Sequence, residues 1–492
     1  MKHYRPFVLI ALVLLIASSA AGAWRASAMP AQPELQTLPA WEYYGAVQGE
    51  WLGIAVAGAG KGPGDAYADL LVGASKGGEN REGWAGLFLG SASGPQQAPA
   101  WQVTGDNKGS EFGTALDGGW DINHDGYMDI VIGAPNYTGV DPSNQAGEGA
   151  VYVYYGAAGV PATTPDWKVE GELQAARMGS AVAFGGYING DEYADVIVGM
   201  SGYTNGEWAN AGAAFVYFGT ASGLNPTPGW LDFGMQASAQ FGLQVSSAGD
   251  VNGDGYDDVL VAEPYFDNIL DVTYYDAGRV SLYLGNELSL SNVPAWSYIG
   301  YRGGDRLGTS LAAAGDVNGD GCADIAIGAP GYNDGALLDA GRVYVFHGCQ
   351  TDSASRLNLT PDWVYTYPQA DANTAIDVSS GGDTNHDGYA ELLVGVHLFD
   401  DEQANEGAAF AFFGGPDGLS TLPGWQAEGN KNDTYYGYAV DAAGDTNGDG
   451  FDDVVVGAPM FRYEEIIKGA AFVFFGSAQS ILYPNYLPFI WR

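Results

Sequence analysis

Residues 249–264 read GDVNGDGYDDVLVAEP, and this stretch predicts the architecture of the whole chain. Asp250, Asn252, Asp254 and Asp258 concentrate negative charge and lone pairs immediately before an apolar run. Like charges this close repel each other, which costs free energy unless a positive charge lies among them. The stretch therefore predicts an acidic, cation-binding loop that leads into a β-strand.

The same pattern recurs along the chain at a nearly constant period, which is the signature of a repeat architecture. Further full copies begin at Asp121, Asp316, Asp383 and Asp445, and degraded copies surround residues 189–191 and 65–69. The motif starts lie at 61, 121, 187, 250, 316, 383 and 445, with spacings of 60 to 67 residues. We conclude that the chain consists of seven units.

Each unit contains four short segments that are typical of β-strands. A segment such as 241–245 precedes the acidic loop, an apolar run such as 129–135 follows it, and a strand of small and aromatic residues such as 149–156 comes next. The fourth segment places a tryptophan two residues after a proline, at Trp101, Trp167, Trp230, Trp296, Trp363 and Trp425. This organisation predicts an all-β fold, a seven-bladed β-propeller with four-stranded antiparallel blades. A stacked open solenoid is the alternative.

The two ends of the chain predict how the ring closes. Trp41 also stands two residues after a proline, Pro39, but no earlier strands of a blade precede it. Residues 487–491 begin a similar segment at the other end. We therefore expect residues 41–48 to supply the outer strand of the seventh blade, so that N-terminal and C-terminal strands close the ring together.

Composition and the N-terminus restrict the location and the partners. The formal net charge is −41, which disfavours nucleic acids and anionic membrane surfaces as partners. Residues 1–28 combine a basic start, a short apolar run and small residues, which is typical of a secretory signal peptide. We assign residues 29–40 to a linker and 41–492 to the propeller, and expect a secreted or cell-surface monomer without a membrane span.

The motifs that flank the acidic loops resemble those of a known repeat family. Phe112-Gly113 and Gly133-Ala134-Pro135, with the acidic loop between them, resemble the FG-GAP repeat of the integrin α-subunit propeller and its bacterial relatives. Close variants include Phe241-Gly242 with Glu263-Pro264, and Tyr436-Gly437 with Gly457-Ala458-Pro459. The sixth unit departs from the pattern, with Ala372-Asn373 in place of Phe-Gly and Gly395-Val396-His397 in place of Gly-Ala-Pro. The resemblance implies that the acidic loops connect the first two strands of a blade and bind calcium.

The loop chemistry independently favours Ca²⁺. Side-chain oxygens at positions 1, 3, 5 and 9, a backbone carbonyl at position 7 and a glycine at position 6 suit a hard cation with six to eight oxygen ligands. We predict five ions, in units two, four, five, six and seven. The predicted ligands are Asp121, Asn123, Asp125, Tyr127, Asp129; Asp250, Asn252, Asp254, Tyr256, Asp258; Asp316, Asn318, Asp320, Cys322, Asp324; Asp383, Asn385, Asp387, Tyr389, Glu391; and Asp445, Asn447, Asp449, Phe451, Asp453.

Two units lack part of this ligand set. In the third unit Tyr187 stands at the first position and Glu192 replaces the glycine, which weakens the site. In the first unit Lys61 and Pro63 occupy the first and third positions, and we expect it to bind no ion. The alternative for any single loop is a structural turn, because Asp and Asn readily bond to their own backbone.

The sequence contains no recognisable catalytic motif. His124 and His386 occupy the fourth loop position, and His347 and His397 lie near strand ends without a paired nucleophile or metal motif. We therefore predict no catalytic residues and a binding function. A polysaccharide lyase or glycosidase built on the propeller remains the alternative, because a pair of aspartates could form a glycosidase dyad.

The segments that follow the second strand of each unit favour ligand recognition. Examples are 136–147, 202–211, 265–277 and 331–339, which are rich in Tyr, Asn, Asp and Gly. Their position predicts a loop-rich face opposite the acidic loops. We expect an extracellular adhesion or ligand-binding module whose partner is a protein or a glycan.

Cys322 and Cys349 are the two cysteines of the chain, and both lie in the fifth unit. Cys322 opens one predicted strand and Cys349 follows the next, so an antiparallel hairpin would bring them within disulfide distance. A disulfide is therefore expected in an exported protein. Two unrelated buried thiols are the alternative, because a register slip of one residue would separate the side chains.

Overall fold

A computed structural model of the protein describes residues 35–139, 146–269, 273–350 and 357–477. The predicted signal peptide, residues 29–34 and the segment 487–491 lie outside the described residues. The described chain forms seven four-stranded antiparallel sheets, which confirms the seven-bladed β-propeller. Among these residues we find no helix with the length and apolarity needed to cross a membrane.

The strands of each blade run from the hub to the rim in chain order, except in blade 7, whose outermost strand is β1. From hub to rim they are, in blade 1, β2 (Leu52–Gly60), β3 (Asp69–Ala74), β4 (Trp84–Phe88) and β5 (Trp101–Thr104); in blade 2, β6 (Ala115–Trp120), β7 (Asp129–Ala134), β8 (Ala150–Tyr154) and β9 (Trp167–Glu170); in blade 3, β10 (Met178–Gly186), β11 (Asp195–Met200), β12 (Ala213–Tyr217) and β13 (Trp230–Phe233); in blade 4, β14 (Gln244–Gly249), β15 (Asp258–Glu263), β16 (Arg279–Tyr283) and β19 (Trp296–Ile299); in blade 5, β20 (Ser310–Gly315), β21 (Asp324–Ala329), β22 (Arg342–Phe346) and β23 (Trp363–Tyr365); in blade 6, β24 (Val378–Gly382), β25 (Glu391–Val396), β26 (Ala408–Phe412) and β27 (Trp425–Glu428); in blade 7, β28 (Ala439–Gly444), β29 (Asp453–Ala458), β32 (Ala470–Phe474) and β1 (Trp41–Tyr44). Two short hairpins complete the list: β17 (Gly285–Asn286) with β18 (Ser289–Leu290), and β30 (Arg462–Tyr463) with β31 (Ile466–Ile467).

The hydrophobic core lies between neighbouring blades. Every residue of β7 is buried, as expected for a strand covered on both faces, and the same holds for the second strand of blades 3 to 7. The outer strand β5 instead alternates buried and exposed side chains. One apolar cluster joins Leu87 and Trp101 of blade 1 to Ile132 and Tyr152 of blade 2, so each blade completes the core of its neighbour.

The Phe-Gly and Gly-Ala-Pro motifs meet across the blade boundaries. The amide of Gly113 donates to the carbonyl of Gly133 at 3.0 Å within blade 2. A Cβ atom on Gly133 would overlap the carbonyl oxygen of Gly179 in blade 3, so the glycine of Gly-Ala-Pro has no room for a side chain. Gly179 has a φ of 78°, in the left-handed region that glycine tolerates best. The motif therefore marks a close backbone contact between neighbouring blades.

The structure corrects the alignment of the sixth unit. Phe112 of blade 2 forms a β-bridge to Gly83 of blade 1, and Thr374 of blade 6 forms the equivalent bridge to Gly341 of blade 5. The Ala375 amide donates to the Gly395 carbonyl at 2.9 Å, as the Gly113 amide does to Gly133. Thr374-Ala375, not Ala372-Asn373, thus occupies the place of Phe-Gly. Ala375 keeps the positive φ of that place, at 63°. The backbone contact is retained although neither typical side chain is present, which is why the sequence comparison placed it two residues too early.

A hydrogen bond from an outer-strand tryptophan joins most blades to the next. Each indole donates to a backbone carbonyl in the segment that leads into the fourth strand of the following blade. The pairs are Trp41 with Gln96 at 3.1 Å, Trp101 with Ala162 at 3.0 Å, Trp230 with Ser291 at 3.1 Å, Trp296 with Asn358 at 2.9 Å, Trp363 with Ser420 at 3.1 Å and Trp425 with Gln36 at 2.9 Å.

The N-terminal strand closes the ring. β1 pairs antiparallel with β32, with Trp41 opposite Val473, and it spans Trp41–Tyr44 rather than the whole of 41–48. Residues 35–40 also differ from the expected linker. Leu35 is fully buried, and Gln36 bonds to the Phe475 carbonyl at 3.0 Å. An apolar side chain and the indole bond from blade 6 hold this segment against blade 7.

We predict that Trp41→Ala opens the ring at its closure point. Trp41 is 2% exposed and packs edge-on against Phe88 of blade 1. The loss of such a buried indole costs about 3–5 kcal/mol of unfolding free energy. Denaturant unfolding monitored by circular dichroism measures the change. Trp167→Ala is the matched control, because Trp167 is only half-buried, and an equal loss in both variants would contradict a special role for Trp41.

Three aspartates lie at the hub, which the sequence analysis did not single out. Asp117 accepts a hydrogen bond from the Phe184 amide of blade 3 at 2.8 Å, Asp377 from Val440 of blade 7 at 2.9 Å, and Asp441 from Gly58 of blade 1 at 3.2 Å. Each carboxylate thus crosses to the next blade. Burial raises the pKa of Asp117 and Asp377 to about 7, with the charge of Asp441 adding to both shifts, and raises the pKa of Asp441 to about 6.

We predict that these carboxylates make the propeller less stable as the pH rises from 5 to 8. Their pKa values in the folded protein exceed the ordinary value of 3.8, so their contribution is fully present below about pH 4 and is lost progressively as the pH rises to about 7. The triple variant Asp117→Asn, Asp377→Asn, Asp441→Asn keeps an acceptor oxygen at each position. Its melting temperature should exceed the wild-type value at pH 8 by about 2 °C or more. The same difference in melting temperature between the two proteins at every pH from 5 to 8 would contradict this.

Candidate metal centres

All five complete acidic loops connect the innermost and second strands of their blades. They lie on one face of the ring, which we call the Asp-loop face, and comprise residues 121–129, 250–258, 316–324, 383–391 and 445–453. The ninth residue of each loop is the first residue of the second strand, as Asp129 is of β7. The repeat in the sequence thus places five acidic loops in equivalent positions around the ring.

Each loop folds its ligand groups inward through the same local hydrogen bonds. Asp121, at position 1, accepts from the amides of Asp125 and Gly126 at 3.1 and 2.7 Å. Asp125, at position 5, accepts from the position 7 amide of Tyr127 at 2.9 Å. The equivalent amides of Tyr256, Cys322, Tyr389 and Phe451 donate to position 5 at 3.1, 3.0, 3.1 and 3.1 Å. The side chains of positions 1, 3 and 5 therefore converge in every loop.

The glycine at position 6 is required by the backbone. Its φ lies between 90° and 93° in all five loops, at Gly126, Gly255, Gly321, Gly388 and Gly450. Side chains are strongly disfavoured at such angles, so glycine alone adopts the turn without strain. In the third unit Glu192 occupies this position, and Tyr187 supplies no carboxylate at position 1. That loop keeps the turns at Asn189 and Asp191, with bonds of 3.0 and 2.9 Å, and the bond from the Ile188 amide to Asp195 at 3.1 Å.

The carboxylate at position 9 is buried and has a structural task as well. Asp129 accepts from the Ile122 amide at 2.7 Å and from the Gly156 amide, beyond the third strand, at 2.7 Å. Burial raises the pKa of Asp129 to about 7, and the nearby charges of Asp121 and Asp125 add to the shift. A cation among these groups would offset both the burial and the repulsion.

The sixth loop meets the requirements of a cation site most completely. The carboxylates of Asp383, Asp387 and Glu391 each offer an oxygen within 4.8 Å of the others. Glu391 is fully buried, and its Oε1 has no hydrogen-bond partner within the described chain. A buried acceptor without a partner is costly, and a cation would satisfy it. Glutamate at position 9 is one methylene longer than aspartate, so its carboxylate reaches further into the loop. Carboxylate and amide oxygens are the ligands that Ca²⁺ prefers.

The first unit contributes a cation of its own chain. Lys61 Nζ lies 3.1 Å from Asp445 Oδ2, at position 1 of the seventh loop. Within the part of the chain that the structure describes, Lys61 is the one lysine or arginine in an acidic loop or its counterpart. The unit expected to bind no ion thus partly neutralises the loop beside it.

Backbone bonds join the loops around the Asp-loop face. The position 1 carbonyl of a loop accepts from the position 8 amide of the next: Ala194 to Asp121 at 3.1 Å, Ala323 to Asp250 at 3.1 Å, Ala390 to Asp316 at 3.0 Å and Ala68 to Asp445 at 2.8 Å. The conformation of one loop is thereby coupled to that of its neighbour.

Cys322 and Cys349 form a disulfide, with Cα atoms 5.8 Å apart. Ile325 pairs with Phe346 in the hairpin β21–β22, which brings the start of one strand beside the end of the other. The bond also contacts the preceding blade, because a Cβ on Gly253 in the fourth loop would lie 3.2 and 3.3 Å from the two sulfur atoms. The disulfide therefore supports the loops of blades 4 and 5 together.

Within the described residues, a histidine faces a carboxylate only on the surface, where His124 Nε2 lies 3.9 Å from Glu192 Oε2. His124 Nδ1 lies 3.0 Å from the Glu192 carbonyl on the surface. His397 lies edge-on to Tyr435 and Tyr438, and burial lowers its pKa to about 4. A neutral imidazole between two phenol rings, without a carboxylate that orients it, is typical of core packing.

The opposite face exposes apolar side chains in the loops of three consecutive blades. We call these residues the blade 3–5 loop surface; their side chains are 43 to 69% exposed: Trp208, Met235, Ile269, Tyr275, Tyr301 and Leu338. The arginines Arg302 and Arg342 lie among them, 4.8 and 3.8 Å from the Tyr332 ring centroid. Aromatic, Met and Arg side chains are enriched where proteins bind partners.

Comparison with known proteins agrees with this architecture. The FG-GAP repeat family matches residues 112–154, 241–283, 307–346 and 436–471. These segments run from the Phe-Gly position through the acidic loop and on into the third strand of blades 2, 4, 5 and 7. The chain therefore carries FG-GAP repeats and resembles the integrin α propeller.

Curated relatives include integrin alpha subunits and a phospholipase. Integrin alpha-5 of Xenopus laevis is 29% identical over 46% of this chain and 21% of its own length. Integrin alpha-IIb of Mus musculus is 30% identical over 40% of this chain and 18% of its own. Phosphatidylinositol-glycan-specific phospholipase D of Mus musculus is 28% identical over 41% of this chain and 24% of its own. The matches span less than a quarter of each relative.

We predict that the disulfide stabilises the fifth blade and the loop of the fourth. Its removal by Cys322→Ala with Cys349→Ala should lower the unfolding free energy by about 3 kcal/mol in the loop-entropy estimate. Denaturant unfolding of both proteins measures the loss. Thiol labelling of the denatured, unreduced wild type should modify no cysteine, and two labelled cysteines per chain would contradict the bond.

Proposed function

We propose that this FG-GAP repeat propeller is a secreted, calcium-stabilised module that binds an extracellular protein or glycan. The observation that supports the proposal best is the contrast between its two faces. Five similar acidic loops occupy one face, whereas the loops of the other differ from blade to blade and expose aromatic and apolar side chains. A repeated face suits a repeated structural ion, and a variable face suits recognition.

Calcium is proposed for loops two, four, five, six and seven. Each bound ion would supply two positive charges to a loop that carries carboxylates at positions 1, 5 and 9. The loops are joined by backbone bonds, so an ion in one loop also stabilises the boundary with the next blade. In the seventh loop, Lys61 beside Asp445 would weaken the affinity relative to the other four.

The blade 3–5 loop surface is proposed as the recognition site. Met235, Tyr275 and Tyr301 are 69, 69 and 65% exposed, far more than their apolar area favours in water. They lie in three successive loops of one face. Integrin subunits among the relatives support a role in adhesion, and the phospholipase among them is the reason to test for catalysis as well.

We predict that substitution in the sixth loop removes one of five calcium ions. Asp387→Asn with Glu391→Gln removes two of the three converging carboxylates, so calorimetric titration of chelator-treated protein should yield four sites instead of five. Calcium at a hundred times its Kd stabilises the fold by about 2.7 kcal/mol per site, so the calcium-dependent rise in Tm should be smaller in the variant.

The control for the calcium experiment is Asp191→Asn in the third loop. This loop has the same turns but lacks the carboxylate at position 1, so the variant should still bind five ions. Wild-type protein that neither binds calcium nor melts at a higher temperature in its presence would refute the proposed role of the ion.

We predict that Met235→Ser, Tyr275→Ser and Tyr301→Ser together abolish ligand binding without unfolding the propeller. The assay is adhesion of the calcium-loaded protein to arrays of extracellular proteins and polysaccharides. Loss of exposed aromatic contacts at an interface should weaken binding at least about ten-fold. The matched control replaces Leu288, Leu359 and Leu422 by Ser, since these are 84, 73 and 72% exposed on the Asp-loop face.

Equal loss of adhesion in both triple variants would contradict a recognition site on the blade 3–5 loop surface. Release of reducing sugar from a polysaccharide in the same assay, without stable adhesion, would favour the enzyme instead. Adhesion without release supports the binding module.

A further inference from the structure

An open cleft at the rim lies between the outer strand of blade 6 and the outer half of blade 7. Its volume is about 340 Å³. We call it the blade 6–7 cleft, and its lining includes Glu42, Tyr44, Glu428, Tyr436, Phe461 and Phe472. Alternation along β1 directs Glu42 and Tyr44 into the cleft, whereas Trp41 and Tyr43 pack on Phe88 of blade 1. The ring closure therefore builds this cleft from both ends of the chain.

The equivalent cleft of blade 2 is filled by the chain itself. Lys168 Nζ lies 4.1 Å from the ring centroid of Tyr137 and 4.9 Å from that of Tyr152. The same ammonium bonds to Asp106 and Glu170, each at 2.8 Å. An alkylammonium group between two aromatic rings and two carboxylates is thus a favourable occupant of this part of the fold.

The blade 6–7 cleft keeps the aromatic walls but lacks that lysine. In the strand register, Lys168 pairs with Tyr152 in blade 2 and Glu42 pairs with Phe472 in blade 7. Phe461 matches Tyr137, since each donates its amide to the alanine of Gly-Ala-Pro at 3.0 Å. A carboxylate therefore stands where blade 2 has its ammonium, and Glu428 of β27 adds a second at the place of Thr104 in β5.

Hydrogen bonding leaves the cleft rich in acceptors. Tyr44 donates to Glu42, Gln426 donates to Glu428 at 2.6 Å, and Asn430 donates to the Glu428 carbonyl at 3.0 Å. These donors orient the carboxylates without neutralising their charge. The described lining residues include no lysine or arginine. The Lys431 ammonium lies 4.4 Å from the Phe461 ring centroid and donates to the Arg462 carbonyl at 3.0 Å. It lines a separate, neighbouring cavity together with Asp433 and Glu465.

A buried hydroxyl in the cleft points independently to a ligand. Tyr436 is 2% exposed, and its hydroxyl has no hydrogen-bond partner among the described residues. An unpaired buried hydroxyl costs free energy that a ligand would recover. Its oxygen can accept a hydrogen bond from an ammonium group, as the two carboxylates can.

We propose that the blade 6–7 cleft binds a protonated primary amine. The alkyl chain would lie against Phe461 and Phe472, and the ammonium group would bond to Glu42, Glu428 and the Tyr436 hydroxyl. In the blade 6–7 cleft the amine would make the contacts that the Lys168 side chain makes in blade 2. The site shares no residue with the Asp loops or with the blade 3–5 loop surface, so it does not depend on the proposed function.

The test is calorimetric titration of the calcium-loaded protein with pentane-1,5-diamine and, separately, with acetyl-Gly-Lys-Gly-amide. Saturable binding of an amine is expected, whereas pentane-1,5-diol should not bind, because it lacks the charge. Glu42→Gln with Glu428→Gln should weaken amine binding at least about ten-fold, through the loss of charge-assisted bonds. Tighter binding of the peptide would indicate a lysine of a partner protein as the source, and tighter binding of the diamine a free amine.

Two further variants complete the test. Glu42→Lys places an ammonium group in blade 7 at the position that Lys168 has in blade 2. The variant should therefore not bind the amine, while its Tm stays at or above the wild-type value. Glu170→Gln is the matched control, because its carboxylate belongs to the filled cleft, and amine binding should be unchanged. Equal affinity of the wild type and the Glu42→Gln, Glu428→Gln variant, or no saturable binding of either amine to the wild type, would overturn the proposal.

Discussion

The close approach of two backbones at each blade boundary, with glycine on both sides at five of the seven, is the constraint on which the rest of the propeller depends. The glycine at the Gly-Ala-Pro position of one blade lies against the carbonyl of the glycine at the Phe-Gly position of the next. Gly133 lies in this way against Gly179, and Gly199 against Gly242. A side chain larger than a methyl group has no room at this contact, which favours glycine there. Alanine takes the place of one glycine at two boundaries, where Ala262 stands against Gly308 and Ala375 against Gly328. Because the contact involves backbone on both sides, it fixes the angle between blades largely independently of their other residues.

Once the blades are held at this angle, further contacts between neighbouring blades form successive layers from the hub to the rim. Carboxylates such as Asp117 cross the boundary at the hub, apolar clusters fill the space between sheets, and indoles such as that of Trp101 bond to the next blade at the rim. The acidic loops add a fourth set of bonds on one face. A cation in such a loop therefore acts on a boundary as well as on its own turn, which connects ion binding to the cohesion of the ring.

Equivalent positions in different blades have diverged in charge while keeping their geometry. The place that Lys168 occupies in blade 2 is occupied by Glu42 in blade 7, and the aromatic residues beside it are retained. The first unit offers a similar case, since Lys61 stands where five other units have an aspartate and reaches Asp445 of its neighbour. A repeat protein can thus use one backbone environment as a filled internal site in one blade and as an open site in another. Comparison between its own blades shows which sites have lost their internal partner.

The sequence by itself determined the number of blades, the strand content and the position of the acidic loops. These features depend on short-range patterns: alternating apolar residues, a glycine that must adopt a φ near +90°, and aspartates at alternate positions in one turn. The tertiary structure alone decided the features that join distant residues. Examples are the packing of residues 35–40 on blade 7, the true Phe-Gly position at Thr374-Ala375, and the three hub aspartates. The cleft between Glu42 and Glu428 belongs to the same group, because its two walls are separated by almost the whole chain and meet only when β1 completes the last blade. The tryptophan pattern predicted that residues 41–48 complete the last blade, but the meeting of Glu42 and Glu428 in one cleft depends on side-chain packing that no local pattern records.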